Sequence, residues 1–293
     1  MQEAHDLIEK LGQTGKRLSK GHRRIAQYIA EHYDKAVFMT ASRLGEQVGV
    51  SESTVVRFAA AMGYEGYPQL QRALQELARH RLTANQRFEM SADIQPAEAF
   101  QAVLKRDAQN LRATMERMDK AVFEDVVNRL MNARAIYVMG LRSAAPLAQF
   151  LGYYLNYIFD DVHLVSVGST DVFEEIIKLK EDDLLLGISF PRYSSRTIEA
   201  MRFAKRCGAQ VVALTDGPMS PLNEVADATL TARTDLASFV DSLTAPLSVI
   251  NALLVALSLK RREALSQHLK QLEAIWETYE VYLEEEAHGG NQQ

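Results

Sequence analysis

The sequence predicts an all-α head followed by an α/β domain of three layers built on a parallel sheet. Two patterns and one break between them predict it. Through the first eighty residues the apolar positions recur at helical spacing. From Ala135 onward short apolar runs alternate with amphipathic stretches of about ten to fifteen residues, as parallel strands do with their crossover helices. Between them, from about His80 to Pro96, the apolar period fades and Thr83, Asn85, Ser91 and Pro96 mark a linker. A chain of 293 residues has room for such a pair, at roughly 150 residues per domain.

Taken in order, Leu18, Ile25 and Ile29 share one face of a first helix, with Arg23, Arg24 and Gln27 opposite and Ser19 placed to cap it. A short helix follows over about Ala41 to Val48, with Leu44 and Val48 four apart. Gly49 then turns the chain, because glycine enters the left-handed region at little cost. Ser51 is placed to cap a third helix, and Glu52 sits favourably in its first turn. Val55, Phe58, Ala59 and Met62 form its buried stripe, and Gly63 ends it. Two further helices are expected at about Ala97 to Met118 and Lys120 to Met131.

The second half reads as strand Ala135 to Met139, helix Pro146 to Ile158, strand His163 to Val167 and helix Thr170 to Leu179. Strand Leu184 to Ile188, helix Thr197 to Arg206 and strand Gln210 to Leu214 follow, and the chain is helical again from about Leu243. Within the helix at 146–158 the run Tyr153-Tyr154-Leu155-Asn156-Tyr157 reads as core rather than interface. The expected division is a head over 1–80, a linker and connecting helix over 81–118, and the α/β domain over 119–287.

Composition narrows the function. An apolar fraction of 47% and a charged fraction of 24% are those of a soluble globular protein. No apolar run approaches the roughly 20 residues of a membrane span, and the start is polar, so no membrane partner and a cytoplasmic location are expected. With Cys207 as the one cysteine, and seven histidines scattered without metal-ligand spacing, neither a disulfide nor a metal site is expected. The net charge is −5, yet Lys16-Arg17, Lys20, Arg23-Arg24, Arg43, Arg57 and Arg72 gather in the head while the tail carries Glu284-Glu285-Glu286. A basic head on an acidic body suits a protein that meets phosphates at one end.

The unit from Thr40 to Met62 is helix, glycine turn, helix. In a helix-turn-helix the second helix enters the major groove by its N-terminal residues. Once the buried stripe is set aside, Glu52, Ser53, Thr54 and Arg57 face outward there. Hydroxyls bond phosphates or base edges, and arginine grips guanine or phosphate. The same pattern also fits an ordinary packed helix pair with capping hydroxyls.

The string Gly-Val-Ser-Glu-Ser-Thr-Val-Val-Arg-Phe (49–58), with Met62-Gly63-Tyr64-Glu65-Gly66-Tyr67 after it, closely resembles the head of the RpiR/MurR family of transcription regulators. That resemblance implies a double-stranded DNA operator as partner, with Ser51, Ser53, Thr54 and Arg57 in or beside the recognition helix. It also implies a SIS (sugar isomerase) domain behind the head, a role in carbohydrate metabolism, and assembly as a homo-oligomer, dimer or tetramer.

The α/β half has its own signals. A dinucleotide fold would carry Gly-x-Gly-x-x-Gly after the first strand; the loop here is Gly140-Leu141-Arg142-Ser143-Ala144, so no nucleotide cofactor is expected. Hydroxyls and arginines stand instead at strand C-termini, where open α/β sheets bind ligands: Ser143 after the first strand, and Ser189, Arg192, Ser194 and Ser195 after 184–188. Gly187-Ile188-Ser189, the segment 208–216, Ser220-Pro221-Leu222 and Ala226-Asp227 resemble a SIS domain over about 120–280. By that resemblance Ser143, Ser189 and Ser194 hold a phosphosugar. Four departures from that pattern stand out. Arg142 and Arg192 occupy glycine positions, Pro191 replaces a serine, and Ala144 replaces a hydroxyl.

Two readings of the arginines follow. Either Arg142 and Arg192 grip a small anionic effector, a sugar phosphate or sugar acid, with the bidentate geometry guanidinium offers. Or they fill the pocket and pair with acids such as Asp171 or Glu174. An isomerase would need an acid/base pair, for which Glu174, Glu175 and His163 qualify by type but not by spacing. The expectation is a regulator, not an enzyme; the alternatives are a sugar-phosphate isomerase-like enzyme and a regulator whose α/β half serves only to oligomerise.

Overall fold

The computed structural model describes residues 18–78, 83–89, 94–166, 168, 171–236 and 238–282. Lys16, Arg17, His80, Ser91, Val167, Thr170 and the glutamates at 284–286 lie outside them.

The head packs α1 (Lys20–Glu31), α2 (Tyr33–Ala36), α3 (Ala41–Val48), α4 (Glu52–Ala61) and α5 (Tyr67–Ala78) around one small core. Ile25, Ile29, Leu44, Val55, Phe58, Ala59 and Leu70 are buried in it, so the predicted stripes do face inward. Ser19 caps α1, accepting from the His22 amide at 3.2 Å. Tyr67 ties α5 to the end of α2 by donating its hydroxyl to the Met39 carbonyl at 2.7 Å, and burial pushes that phenol up to about 12.

The polar stretch after the head is not featureless. It contains α6 (Ala84–Glu89), a 3₁₀ turn at Pro96–Glu98, and then α7 (Ala99–Arg117). Helix α8 (Lys120–Asn132) leads into β1 (Ile136–Gly140), and the alternation continues with α9 (Ala145–Ile158), β2 (Val162–Val165), α10 (Val172–Ile176) and β3 (Leu184–Ile188). The chain closes with α11 (Ser195–Arg206), β4 (Gln210–Thr215), β5 (Ala228–Thr231), α12 (Thr244–Lys260) and α13 (Arg262–Thr278). All strand pairs are parallel, in the order β2-β1-β3-β4-β5.

Side-chain alternation sorts the sheet into two faces. Ile136, Val138, Leu184, Leu186, Val212 and Leu214 meet α8, α9 and α12 through Val126, Leu130, Leu151, Leu155, Val249, Ile250 and Leu253. Tyr137, Met139, Leu185, Val211 and Ala213 meet α10 and α11 through Val172, Ile176, Ala200, Met201 and Ala204. These are the three layers the sequence predicts.

Three details differ from expectation. Strand β5, too short and half polar to show a run of its own, is legible only by pairing with β4. Helix α10 spans five residues rather than the ten of 170–179. The tyrosine run in α9 is not core: Leu155 alone of it is buried, while Tyr153 is 53% exposed and Tyr154 and Tyr157 are partly or wholly in solvent. Their rings cluster with Trp276 of α13, whose centroid lies 6.4 Å from that of Tyr157.

Candidate nucleic-acid interface and effector pocket

In the head, Thr40 caps α3 by accepting from the Arg43 amide at 3.2 Å. Gly49 follows at φ 70°, and Val50 donates its amide to the Gly45 carbonyl at 2.8 Å, which closes the helix end. The turn is tight: a Cβ on Gly45 would stand 2.8 Å from the Val50 carbonyl oxygen. Glycine there lets α3 and the start of α4 approach, which fixes the angle at which α4 is presented.

Ser51 holds the extended backbone of an N-cap, with φ −73° and ψ 153°, but its hydroxyl does not bond a backbone amide. This corrects the sequence expectation of a side-chain cap. The Ser51 Oγ pairs instead with Ser53 Oγ at 2.9 Å and Thr54 Oγ1 at 2.8 Å. Three hydroxyls therefore gather over the first turn of α4 while its amides keep no side-chain cap. Arg57 lies one turn on, its Nε donating to the Ser53 carbonyl at 3.2 Å, which draws its side chain toward the same end of the helix. Ser51, Ser53 and Arg57 are exposed and Thr54 is half-buried.

The second constellation forms where β1 and β3, neighbours in the sheet, end side by side. The loop after β1 turns through Arg142–Ala144, and that after β3 runs from Ser189 to Ser194 before α11. Together they line a cavity of about 790 Å³ that contains Arg142, Ser143, Ser189, Arg192 and Ser194. All five sequence-predicted ligand residues are thus brought to one place. Ser189 is buried and its hydroxyl accepts the Ser194 amide at 3.1 Å, which shapes the loop. Ser194 caps α11, its Oγ accepting from Thr197 N at 3.4 Å.

Arg142 and Arg192 have φ values of 58° and 70°. Glycine enters this left-handed region freely, whereas a residue with a Cβ is held there at a cost of roughly 1–2 kcal/mol. Both arginines, at positions the resemblance gives as glycine, hold a backbone conformation that glycine adopts freely. Neither arginine forms an ion pair among the described residues; Asp171, one suggested partner, pairs with Arg196 at 3.1 Å. Glu174 is exposed, and Glu175 accepts the Ser166 amide at 3.0 Å. His163 is exposed, pairs with Asp161 at 2.7 Å and stacks on Tyr137. None of these acid/base types lines the cavity.

Three wall residues come from outside the stretch after β1 and the stretch after β3, and sequence reasoning did not reach them: Arg87, Phe239 and Asp241. Arg87 comes from α6, is 2% exposed, and donates Nη1 to Asp241 at 3.0 Å and Nη2 to the Pro191 carbonyl at 3.2 Å. Asp241 also accepts from Ser143 Oγ at 3.0 Å. Their separations along the chain, 154 and 98 residues, leave no local signal by which periodicity or spacing could pair them.

Residues 5–80 match the family model of the helix-turn-helix domain of the rpiR family, and residues 129–256 match that of the SIS domain. The chain belongs to the RpiR family of transcription regulators. The HTH-type transcriptional regulator HexR of Pseudomonas aeruginosa is 26% identical over 275 residues, covering 91% of this chain and 94% of its own. An uncharacterised HTH-type transcriptional regulator of Haemophilus influenzae is 27% identical over 78% of this chain and 80% of its own. Among solved structures, the sugar isomerase domain of the RpiR transcription factor of Sphaerobacter thermophilus covers 60% of this chain and 99% of its own, with a TM-score of 0.58 and 26% identity. The NanR protein of Vibrio vulnificus, complexed with ManNAc-6P, covers 93% and 98%, with a TM-score of 0.56 and 22% identity. As an RpiR regulator, the chain joins a DNA-binding head to a SIS domain and is a regulator rather than an enzyme. Among the described residues no helix is long and apolar enough to cross a membrane.

Proposed function

We propose that this RpiR regulator binds its operator through α4 and senses a small anionic metabolite, a sugar phosphate or sugar acid, in the cavity at the ends of β1 and β3. The observation that carries the sensing half is the pair of left-handed arginines at one pocket mouth. Strain of this kind persists where the surrounding structure and a function hold it. Two guanidinium groups, the loop hydroxyls and the amides at the start of α11 suit a phosphate or carboxylate. The NanR complex with ManNAc-6P makes phosphosugars the first class to test. Ser143, Ser189 and Ser194 supply hydroxyls, and Arg142 and Arg192 supply charge.

On the head, the hydroxyls of Ser51, Ser53 and Thr54 and the guanidinium of Arg57 form the contact face for phosphates and base edges. The protein acts in the cytoplasm as a homo-oligomer, so that paired heads read half-sites about one helical turn, or a multiple of it, apart. Effector binding modulates operator affinity by shifting the relation between sensor and heads.

The test is a thermal-shift screen of the purified protein against phosphosugars, sugar acids and other small anions. A stabilising compound whose effect is lost in Arg192→Ala supports the sensor. A uniformly flat screen sinks it in favour of a SIS domain that serves assembly alone.

A further inference from the structure

Arg87 belongs to neither matched segment, since one ends at residue 80 and the other begins at 129. Its side chain is nevertheless buried in the wall of the effector pocket, tied to Asp241 and to the carbonyl of Pro191. The other carboxylate oxygen of Asp241 accepts from Ser143. A carboxylate therefore sits inside a pocket whose mouth carries Arg142 and Arg192, and it holds donors of the kind an anionic ligand would take.

Asp241 is carried by the connection between β5 and α12, and the connecting helix α7 grips that connection and the first residue of α12. Asp107, Asn110 and Thr114, spaced three and four apart on one face, bond it in turn. Asp107 accepts from Ser242 at 2.6 Å and from Thr244 at 2.9 Å. Asn110 and the backbone of Asp235 exchange two bonds at 3.1 Å. Thr114 accepts the Arg233 amide at 2.8 Å. On the other side, α6 meets the connection through Arg87 and through Phe88, whose ring lies edge-on to Phe239 at 6.1 Å. Arg87 is the one buried residue of α6, and a six-residue helix has no stability of its own without such an anchor.

We infer that Asp241 is a resident competitor for the effector anion and that Arg87 is the latch by which the pocket holds the linker to the DNA-binding head. This rests on the reading of the cavity as an anion site. An incoming phosphate bonds Ser143 and the arginines and repels the Asp241 carboxylate, since like charges a few ångströms apart in a partly buried site are unfavourable. Once Asp241 leaves, Arg87 loses its ion pair, and the hold on α6 weakens while the bond to the Pro191 carbonyl remains. Helix α6 then loosens, a local order-to-disorder switch driven by charge.

The experiment uses the full-length protein and inorganic phosphate as the probe, with affinity measured by calorimetry and the backbone of residues 84–89 followed by hydrogen exchange. Asp241→Asn, nearly isosteric and uncharged, is expected to bind phosphate about tenfold more tightly than the wild type. Saturating phosphate is expected to speed exchange at residues 84–89 about tenfold in the wild type, and Arg87→Gln to show that faster exchange without phosphate. If Arg192→Ala abolishes phosphate binding while Asp241→Asn binds no more tightly than wild type, the pocket stands and the competitor is refuted. Phosphate binding with no change in exchange at 84–89 refutes the latch. If neither wild type nor Asp241→Asn binds phosphate at all, the anion pocket itself falls, and the latch with it.

Discussion

Arg142 and Arg192 show how much one residue type can reveal when its backbone is known. By resemblance they depart from a glycine pattern; in the structure both hold φ values in the left-handed region that favours glycine. The strain belongs to the Cβ and the charge to the guanidinium, so two substitutions separate them. Arg192→Ala keeps the strain and Arg192→Gly relieves it, so the glycine variant should be the more stable by about 1 kcal/mol in chemical denaturation. Both should lose the anion response. Equal stability of the two variants would mean that residue 192 adjusts its backbone instead. In the head, Arg57→Ala should weaken operator binding by about 1–3 kcal/mol in a gel-shift titration. Ser51→Ala should cost clearly less than the roughly 1 kcal/mol of a full cap, because its hydroxyl bonds Ser53 and Thr54 rather than a backbone amide. A melt lowered by a full cap's worth would contradict that geometry.

Elements with local signals were legible, and those without were not. The bounds of α3 follow from Thr40 at its start and Gly49 at its end, both of which act within a few residues. β1, β3 and β4 are continuous apolar runs because helices cover them on both faces. β5 is half polar and four residues long, so only its pairing identifies it. α6, six residues long, stands in polar sequence and is held by a partner far along the chain. The spacing of α3 and α4 belongs to this scale too. Gly45→Ala drives a methyl into the Val50 carbonyl and should destabilise the head by about 1–3 kcal/mol, with operator binding reduced more than the melt alone explains. Unchanged melting and binding would mean that the turn yields without consequence.

At the scale of the molecule, α7 and α12 together leave apolar surface uncovered. Phe100 and Met115 are 64% and 74% exposed, Leu104, Val255 and Leu259 are exposed as well, and a groove of about 620 Å³ runs between Leu111, Met115, Met118, Phe123 and Val249. Exposed apolar side chains gathered on two packed helices beside an apolar groove suit an interface. Self-association through this face is the expected outcome, and Met115→Glu should shift the mass measured by light scattering toward the monomer while leaving the fold's circular dichroism intact. A wild-type monomer at all concentrations would exclude paired heads.

What the sequence determined by itself was whatever is written in neighbouring residues: the helix-turn-helix, the run of parallel strands, the change of character between head and sensor, and the presence of serines and arginines at strand ends. Periodicity, capping and turn chemistry act over a few residues, so a linear reading reaches them. What only the tertiary structure decided was which of those side chains share a cavity, that Ser51 bonds hydroxyls rather than the backbone, and that the tyrosines of α9 face outward. It also decided that Arg87, in a stretch that reads as linker, is buried against Asp241. Burial and ion pairing across 154 residues depend on how layers stack, and no local pattern encodes that.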